Sequence, residues 1–141
     1  MCNGTISIVN CSASSTTSPP TYSCRKVFDE SVSSYWHSHD TEKLEWITLD
    51  LGDEYYIKEL KIRQYSSNMV KSITVMFSDG TAAPQELEEI SNKWLHVRLP
   101  NNVISNYINI TSEYENRTNK HMDIEEVRVR GCYPGKHLLN M

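Results

Sequence analysis

With 141 residues the chain is long enough for one domain with a continuous core, and its 38% hydrophobic share, rich in Ser and Thr, points to a thin two-layer interior. A net charge of -4 and a pI of about 5.7 argue against nucleic acid as the main partner, since phosphate binding needs a concentrated basic surface, and weakly disfavour anionic membranes, although a local patch can override both. No apolar run approaches the ~20 residues that span a bilayer, and MCNGTISIVNCSASS lacks the basic and apolar blocks of a signal peptide, as a mature or excised domain would.

Taken in chain order, ISIVNC is a strand with an imperfect alternation. Residues 14–23, SSTTSPPTYS, carry Pro19 and Pro20, which cannot pair in a central strand, so a protruding loop is expected. The stretch FDESVSSYWHSHDTEKLEWITLDLG, residues 28–52, raises the possibility of a polar centre at His37, His39 and Asp40. On a strand the two imidazoles would share a face with Asp40 beside them, which is tolerable metal geometry. No third or fourth ligand can be named, however, and a polar loop rim over scaffold is the reading adopted. WITLDL then places Ile47, Leu49 and Leu51 on one face, against Trp46, Thr48 and Asp50 on the other.

LKIRQY alternates Leu60 and Ile62 with Lys61 and Arg63, and SITVMF puts Ile73, Val75 and Phe77 together. SDG is turn chemistry, and PQELEEI, residues 84–90, is the one helical candidate, read as a loop or a single turn. WLHVRL buries Leu95, Val97 and Leu99. YINIT buries Ile108 and Ile110 and turns Tyr107 and Asn109 outward. EEVRVRGC buries Val127 and Val129 and exposes Glu126, Arg128 and Arg130. Short strands with one solvated face, joined by polar turns, predict an all-β antiparallel sandwich or barrel. Residues 1–134 form the single domain of this reading and 135–141 a C-terminal tail, with everything after Cys132, YPGKHLLNM, expected to be frayed.

Cys2, Cys11, Cys24 and Cys132 are even in number and lack CxxC spacing, which argues for structural bridges in an oxidising compartment; three connectivities are open. Sequons at Asn3, Asn10, Asn109 and Asn116 agree with an extracellular location. Nucleophilic catalysis finds no support, because no GxSxG elbow is present. The paired carboxylates Glu88-Glu89 and Glu125-Glu126 read as solvated faces or sheet edges. Lys58, Lys61, Arg63, Arg128 and Arg130 read as a solvated sheet face, with a partner surface as the alternative. Trp46 and Trp94 read as packing residues.

The ordered run SASS, VFDESVSSYWHS, EWITLDLG, IKELKIR, VKSITVMFSDG, WLHVRL, YINI and EEVRVRGC resembles the discoidin family, the type C domains of coagulation factors V and VIII, and the related galactose-binding-like carbohydrate modules. The likeness spans residues 12–132. It implies a jelly-roll β-sandwich of about eight strands, non-catalytic and extracellular, whose loops at one end bind a glycan or an extracellular protein. The alternatives are a phospholipid-binding membrane-attachment domain and a carbohydrate-binding module appended to a secreted enzyme. The fold does not choose among these ligands. Phospholipid is the weaker partner, because the loops offer few apolar tips beyond Tyr22 and Met69.

The same likeness implies that Cys132 is the family's closing cysteine with Cys2 as its partner. Cys11 and Cys24 then remain to bracket the Pro-rich loop, a pair that departs from the common pattern. Loops 14–23, 36–43, 64–71 and 113–123 should cluster at one end, where Tyr22, His37, Tyr65, Met69, Tyr114, Arg117 and His121 are the candidate ligand residues. The related modules often hold a structural calcium. Asp29, Ser34 and Glu126 match its side-chain ligands, a set of oxygens suited to a hard cation. Glu30 departs from the pattern, standing where the family has Gly, and its side chain opposes the tight turn.

Overall fold

The structure is a computed structural model that describes residues 2–17, 21–31, 33–38, 44–64, 72–86, 93–112 and 122–135. Nine strands occur among them: β1 (Gly4–Ile6), β2 (Asn10–Ala13), β3 (Trp36–His37), β4 (Trp46–Gln64), β5 (Ser72–Phe77), β6 (Ala82–Glu86), β7 (Trp94–His96), β8 (Ile104–Ser112) and β9 (Asp123–Cys132). Every pairing between them is antiparallel. A short 3-10 helix, Cys24–Phe28, follows the first loop and buries Val27.

The architecture follows from β4, in which the two strands WITLDL and LKIRQY run on as one of 19 residues. Its first half lies between β2 and β8, with Ile47 opposite Ile110 and Leu49 opposite Ile108. The register then shifts between Asp50 and Tyr55, where Gly52 adopts φ 78° and its N–H donates to Asp50 Oδ1 at 2.8 Å. The kink needs a left-handed residue, and glycine supplies it. Beyond it the second half lies between β9 and β7, with Leu60 opposite Val129 and Ile62 opposite both Val127 and Leu95. One layer is thus β2-β4-β8-β5-β6, and the other is β7-β4-β9 with β1 and β3 on the far side of β9. This is the jelly-roll sandwich that the discoidin resemblance implies, with β3 as a short additional strand.

Alternation places one residue in two of each strand inward. Ile47, Leu49, Leu51, Ile57, Leu60, Ile62, Ile73, Val75, Phe77, Ile108, Ile110, Val127 and Val129 join a single buried cluster, sealed by Trp36. Both cysteine bridges form: Cys2–Cys132 joins the ends and Cys11–Cys24 ties β2 to the 3-10 helix. Gly131 faces Tyr56 on β4 so closely that a Cβ there would stand 1.9 Å from the Tyr56 carbonyl oxygen.

Three local expectations are corrected. Pro84–Glu86 belong to strand β6, not to a loop or helical turn, while 87–90 lie outside the described residues. The strand tolerates Pro84 because, among the described residues, β6 pairs only with β5 and lies at an edge. Glu125 and Glu126 are not solvated: each is almost fully buried, Glu125 at the register shift between Arg63 and Gln64, and Glu126 on the strand against which the 3-10 helix packs. Tyr133 is not frayed but stacks on Tyr55, ring centroids 5.0 Å apart.

Candidate functional site

The strand ends that lead into the predicted ligand loops lie together. Ala13 is opposite Ile47, Trp46 opposite Thr111 and Ile73 opposite Ser112 in one layer, while Gln64 and Trp36 both face Ile124 in the other. The first loop straps the layers at this end. Ser14 N–H donates to the Trp46 carbonyl, the Trp36 indole N–H donates to the Ser15 carbonyl at 3.1 Å, and Thr17 N–H donates to the His37 carbonyl. The strap rests on Glu45, a buried carboxylate whose Oε2 accepts from Ser14 Oγ at 2.5 Å and from Ser15 Oγ at 2.7 Å. Trp36 is fully buried beneath the loop, as the scaffold reading expects.

His37 is the imidazole at the centre of this end. The His37 backbone N–H donates to the Tyr22 carbonyl, and the imidazole ring stands 5.6 Å from that of Tyr22 and 6.0 Å from that of Tyr35. Tyr22 and Tyr35 are 5.0 Å apart. Nδ1 of His37 contacts Oδ1 of Asp123, which opens β9 and is itself buried. A carboxylate on one ring nitrogen fixes the orientation of an imidazole. The result is a half-buried tier of two phenols and an oriented imidazole, amphipathic rings with polar tips.

The structure therefore brings Tyr22 and His37 together, and adds Tyr35 and Asp123, which sequence reasoning missed. Asp123 is legible only from the pairing of His37 with it across β3 and β9. Tyr65, Met69, Tyr114, Arg117 and His121, with His39, Asp40 and the Asn116 sequon, lie outside the described residues. Of the other sequons, Asn3 and Asn10 are exposed, and Asn10 Oδ1 accepts from Arg25 at 3.1 Å. Asn109 sits half-buried in mid-strand, its Nδ2 donating to Thr48 Oγ1 at 2.8 Å and its Oδ1 accepting from Thr111.

A second, acidic grouping lies at Asp29. Its Oδ1 accepts from Ser31 N–H and its Oδ2 from Ser34 Oγ. Glu30 follows at φ 63°, a left-handed residue where the related modules have Gly. Glu126 reaches the same region with one oxygen, Oε1, buried and without a hydrogen-bond partner. Burial pushes its carboxyl up to about 7, and Asp29 and Glu30 add repulsion against the attraction of Arg128. Among the described residues no three His, Cys, Asp or Glu side chains gather as a metal cluster. A cation here would therefore draw on the hydroxyl of Ser34 and on backbone oxygens besides Asp29 and Glu126. The residues fit such an ion chemically: an orphaned carboxylate oxygen among like charges is what a divalent cation neutralises.

The fold is an antiparallel jelly-roll β-sandwich. The F5/8 type C domain model matches residues 10–127, and the chain belongs to that family, whose members and neighbours are binding modules. Among solved structures it is similar to the C-terminal domain of a chitobiase from Bacteroides fragilis, with 14% identity, 91% of this chain and 97% of that one covered, and a TM-score of 0.76. It is also similar to the family 32 carbohydrate-binding module of NanJ from C. perfringens, in complex with galactose, at 16% identity, 86% and 92% coverage and a TM-score of 0.71. A third is a family 32 module from Clostridium perfringens in complex with GalNAc-β-1,3-galactose, at 15% identity, 85% and 93% coverage and a TM-score of 0.68. A comparison with curated proteins finds no match.

Proposed function

We propose that this chain is a non-catalytic, extracellular glycan-binding module that holds its ligand at the loop end. The observation that carries the reading is the tier of Tyr22, Tyr35 and His37 at that end, with Asp123 fixing the imidazole. Aromatic faces suit the C–H faces of a sugar ring, and an oriented imidazole suits its hydroxyls. The galactose and GalNAc-β-1,3-galactose held by two neighbours support galactosides as the first ligands to test. Two disulfides support the compartment. One structural calcium ion held by Asp29, Ser34 and Glu126 belongs to the same proposal. Bound there, the ion would supply charge neutralisation for Glu126 and brace the turn after the 3-10 helix.

The test is a galactoside-rich glycan array, followed by titration of the best ligand against Tyr22→Ala and His37→Ala. Each variant should bind about tenfold more weakly, the equivalent of one lost aromatic or hydrogen-bonding contact, with the fold intact by circular dichroism. His37→Ala should also melt lower, because it takes the imidazole from the buried Asp123 carboxylate. A blank array for the wild-type protein refutes glycan binding and leaves a protein partner as the reading. Full binding by both variants moves the site off this tier.

A further inference from the structure

The outward face of the β7-β4-β9 layer carries an arrangement that the loop-end site does not use. Register places Lys61 between Arg128 on β9 and His96 on β7, and Arg63 between Glu126 and Trp94. Trp94 belongs to β7, yet its ring centroid is 4.8 Å from Arg128 Cζ, 5.2 Å from Lys61 Nζ and 5.8 Å from Arg63 Cζ. The indole therefore lies across the outward face of β4, with three cations gathered on one ring. Trp94 is more than a packing residue.

The accompanying acids are placed asymmetrically. Glu125 Oε2 stands 3.7 Å from Arg63 Nε, and Glu126 Oε2 stands 3.7 Å from Arg128 Nε, and both carboxylates are almost fully buried. Lys61 meets the more exposed Glu59 at 3.8 Å. The Arg128 side chain is 50% exposed above the buried Glu126, whereas Lys61 and Arg63 are each 22% exposed and Glu59 is 38% exposed. At 3.7 Å the two Nε contacts exceed hydrogen-bonding distance; Arg63 Nε is itself buried, so the half-exposed Arg128 is the guanidinium open to a ligand. Its forked donor geometry matches carboxylate and sulfate oxygens. Hollows flank the strip on both sides. One of about 690 Å³ is lined by Gln64, Gln85, Glu86, Trp94 and His96, and one of about 500 Å³ by Thr5, Ser7, Glu30, Glu126, Arg128 and Arg130.

We propose that this face is a second binding surface, independent of the loop-end reading, and that its occupant is an acidic polysaccharide carrying carboxylate or sulfate groups. Three convergent cations select an anion. The indole offers a platform for a sugar's C–H face, and amide, hydroxyl and imidazole groups on either side suit a hydroxyl-rich chain that continues beyond the strip. An acidic peptide fits less well. The backbone of β4 is already paired on both sides along this strip, and the edge beside it, β7, is three residues long, which leaves little for strand addition.

The experiment measures binding of the intact protein to heparin and to alginate, with dextran and polyglutamate alongside, over a range of salt concentrations. The wild-type protein should bind at least one of the two acidic polysaccharides, more weakly as salt rises, and should ignore dextran. Lys61→Gln with Arg128→Gln should lower that affinity about tenfold or more and leave galactoside binding unchanged. Lys61→Glu, a surface reversal that keeps Arg128 over Glu126, should lower it as well, and Lys58→Gln, on the same strand but off the indole, should not. Failure of both polysaccharides to bind at low salt overturns the proposal. So does an equal loss in Lys58→Gln, or polyglutamate binding as tight as the polysaccharide's.

Discussion

Replacing Glu126 by Gln tests the acidic grouping and its metal together. The folded protein holds the Glu126 proton up to about 7, whereas an unfolded chain releases it near 4.5. Folding therefore favours the protonated form. The ionised carboxylate carries a penalty that is absent below pH 4.5, grows between 4.5 and about 7, and is complete above that. The gap between the two values, at roughly 1.4 kcal/mol per pH unit, bounds the penalty at about 3 kcal/mol. Gln removes the charge, but its amide still lacks partners and Arg128 loses its counter-charge, so the net gain should be about 1–2 kcal/mol. In chelator at pH 8 this corresponds to a rise of roughly 3–6 °C in melting temperature for a domain of this size, fading towards pH 4.5. Calcium should reverse the order. At a hundredfold excess over its Kd the ion stabilises the wild-type protein by about 2.7 kcal/mol, and the variant much less. Thermal denaturation at pH 5, 6.5 and 8, each with chelator and with millimolar calcium, reads all of this. A variant less stable than wild type in chelator at pH 8 would refute the burial argument. Wild-type curves that calcium leaves unmoved would refute the metal.

Gly131→Ala should cost more than about 4 kcal/mol or abolish soluble expression, because its Cβ would meet a backbone oxygen at 1.9 Å on a strand that cannot give way. Gly4→Ala, on the paired position of β1 with its nearest atom at 3.7 Å, is the matched control and should fold normally by urea denaturation. Cys11→Ser with Cys24→Ser should lower stability by about 3 kcal/mol under non-reducing conditions, since the bridge closes a loop spanning 13 positions. In a secreting host, glycan-release mapping should find Asn3 modified and Asn109 bare. Asn109→Ala in a host without glycosylation should cost about 1 kcal/mol for its lost contacts with Thr48 and Thr111.

Period-two alternation made the layers legible, because a strand with one wet face writes its orientation into alternate residues. Ile47, Leu49 and Leu51 point inward as their spacing requires, and so do Ile73, Val75 and Phe77. What failed was whatever depends on register. Nothing local in WITLDLGDEYYIKELKIRQ says that two runs continue as a single strand through a kink. A two-residue strand such as Trp36–His37 has no period to read, and with it went the pairing that brings Asp123 to His37. Glu126 read as solvated because the pattern that exposes Arg128 and Arg130 exposes it too, and nothing in the alternation shows that it ends up buried beside Arg128, Asp29 and Glu30. Tyr22 and His37 were found as loop residues of suitable chemistry, and no spacing in the sequence joined them to Tyr35.

The Cys2–Cys132 bridge, Cα atoms 5.0 Å apart, alters what happens when the chain is pulled by its two ends. Tension entering at one end leaves at the other across a covalent link, and the 130-position span between the cysteines bears none of it. The sandwich, its loop end and its sheet face stay folded under loads that would unzip an unbridged domain of the same strength. Only reduction exposes that span, and it would then pay out a slack of roughly 450 Å at about 3.5 Å per residue. Extension under force thus becomes a chemical event before it is a mechanical one, and a stretched molecule lengthens in one redox-gated step.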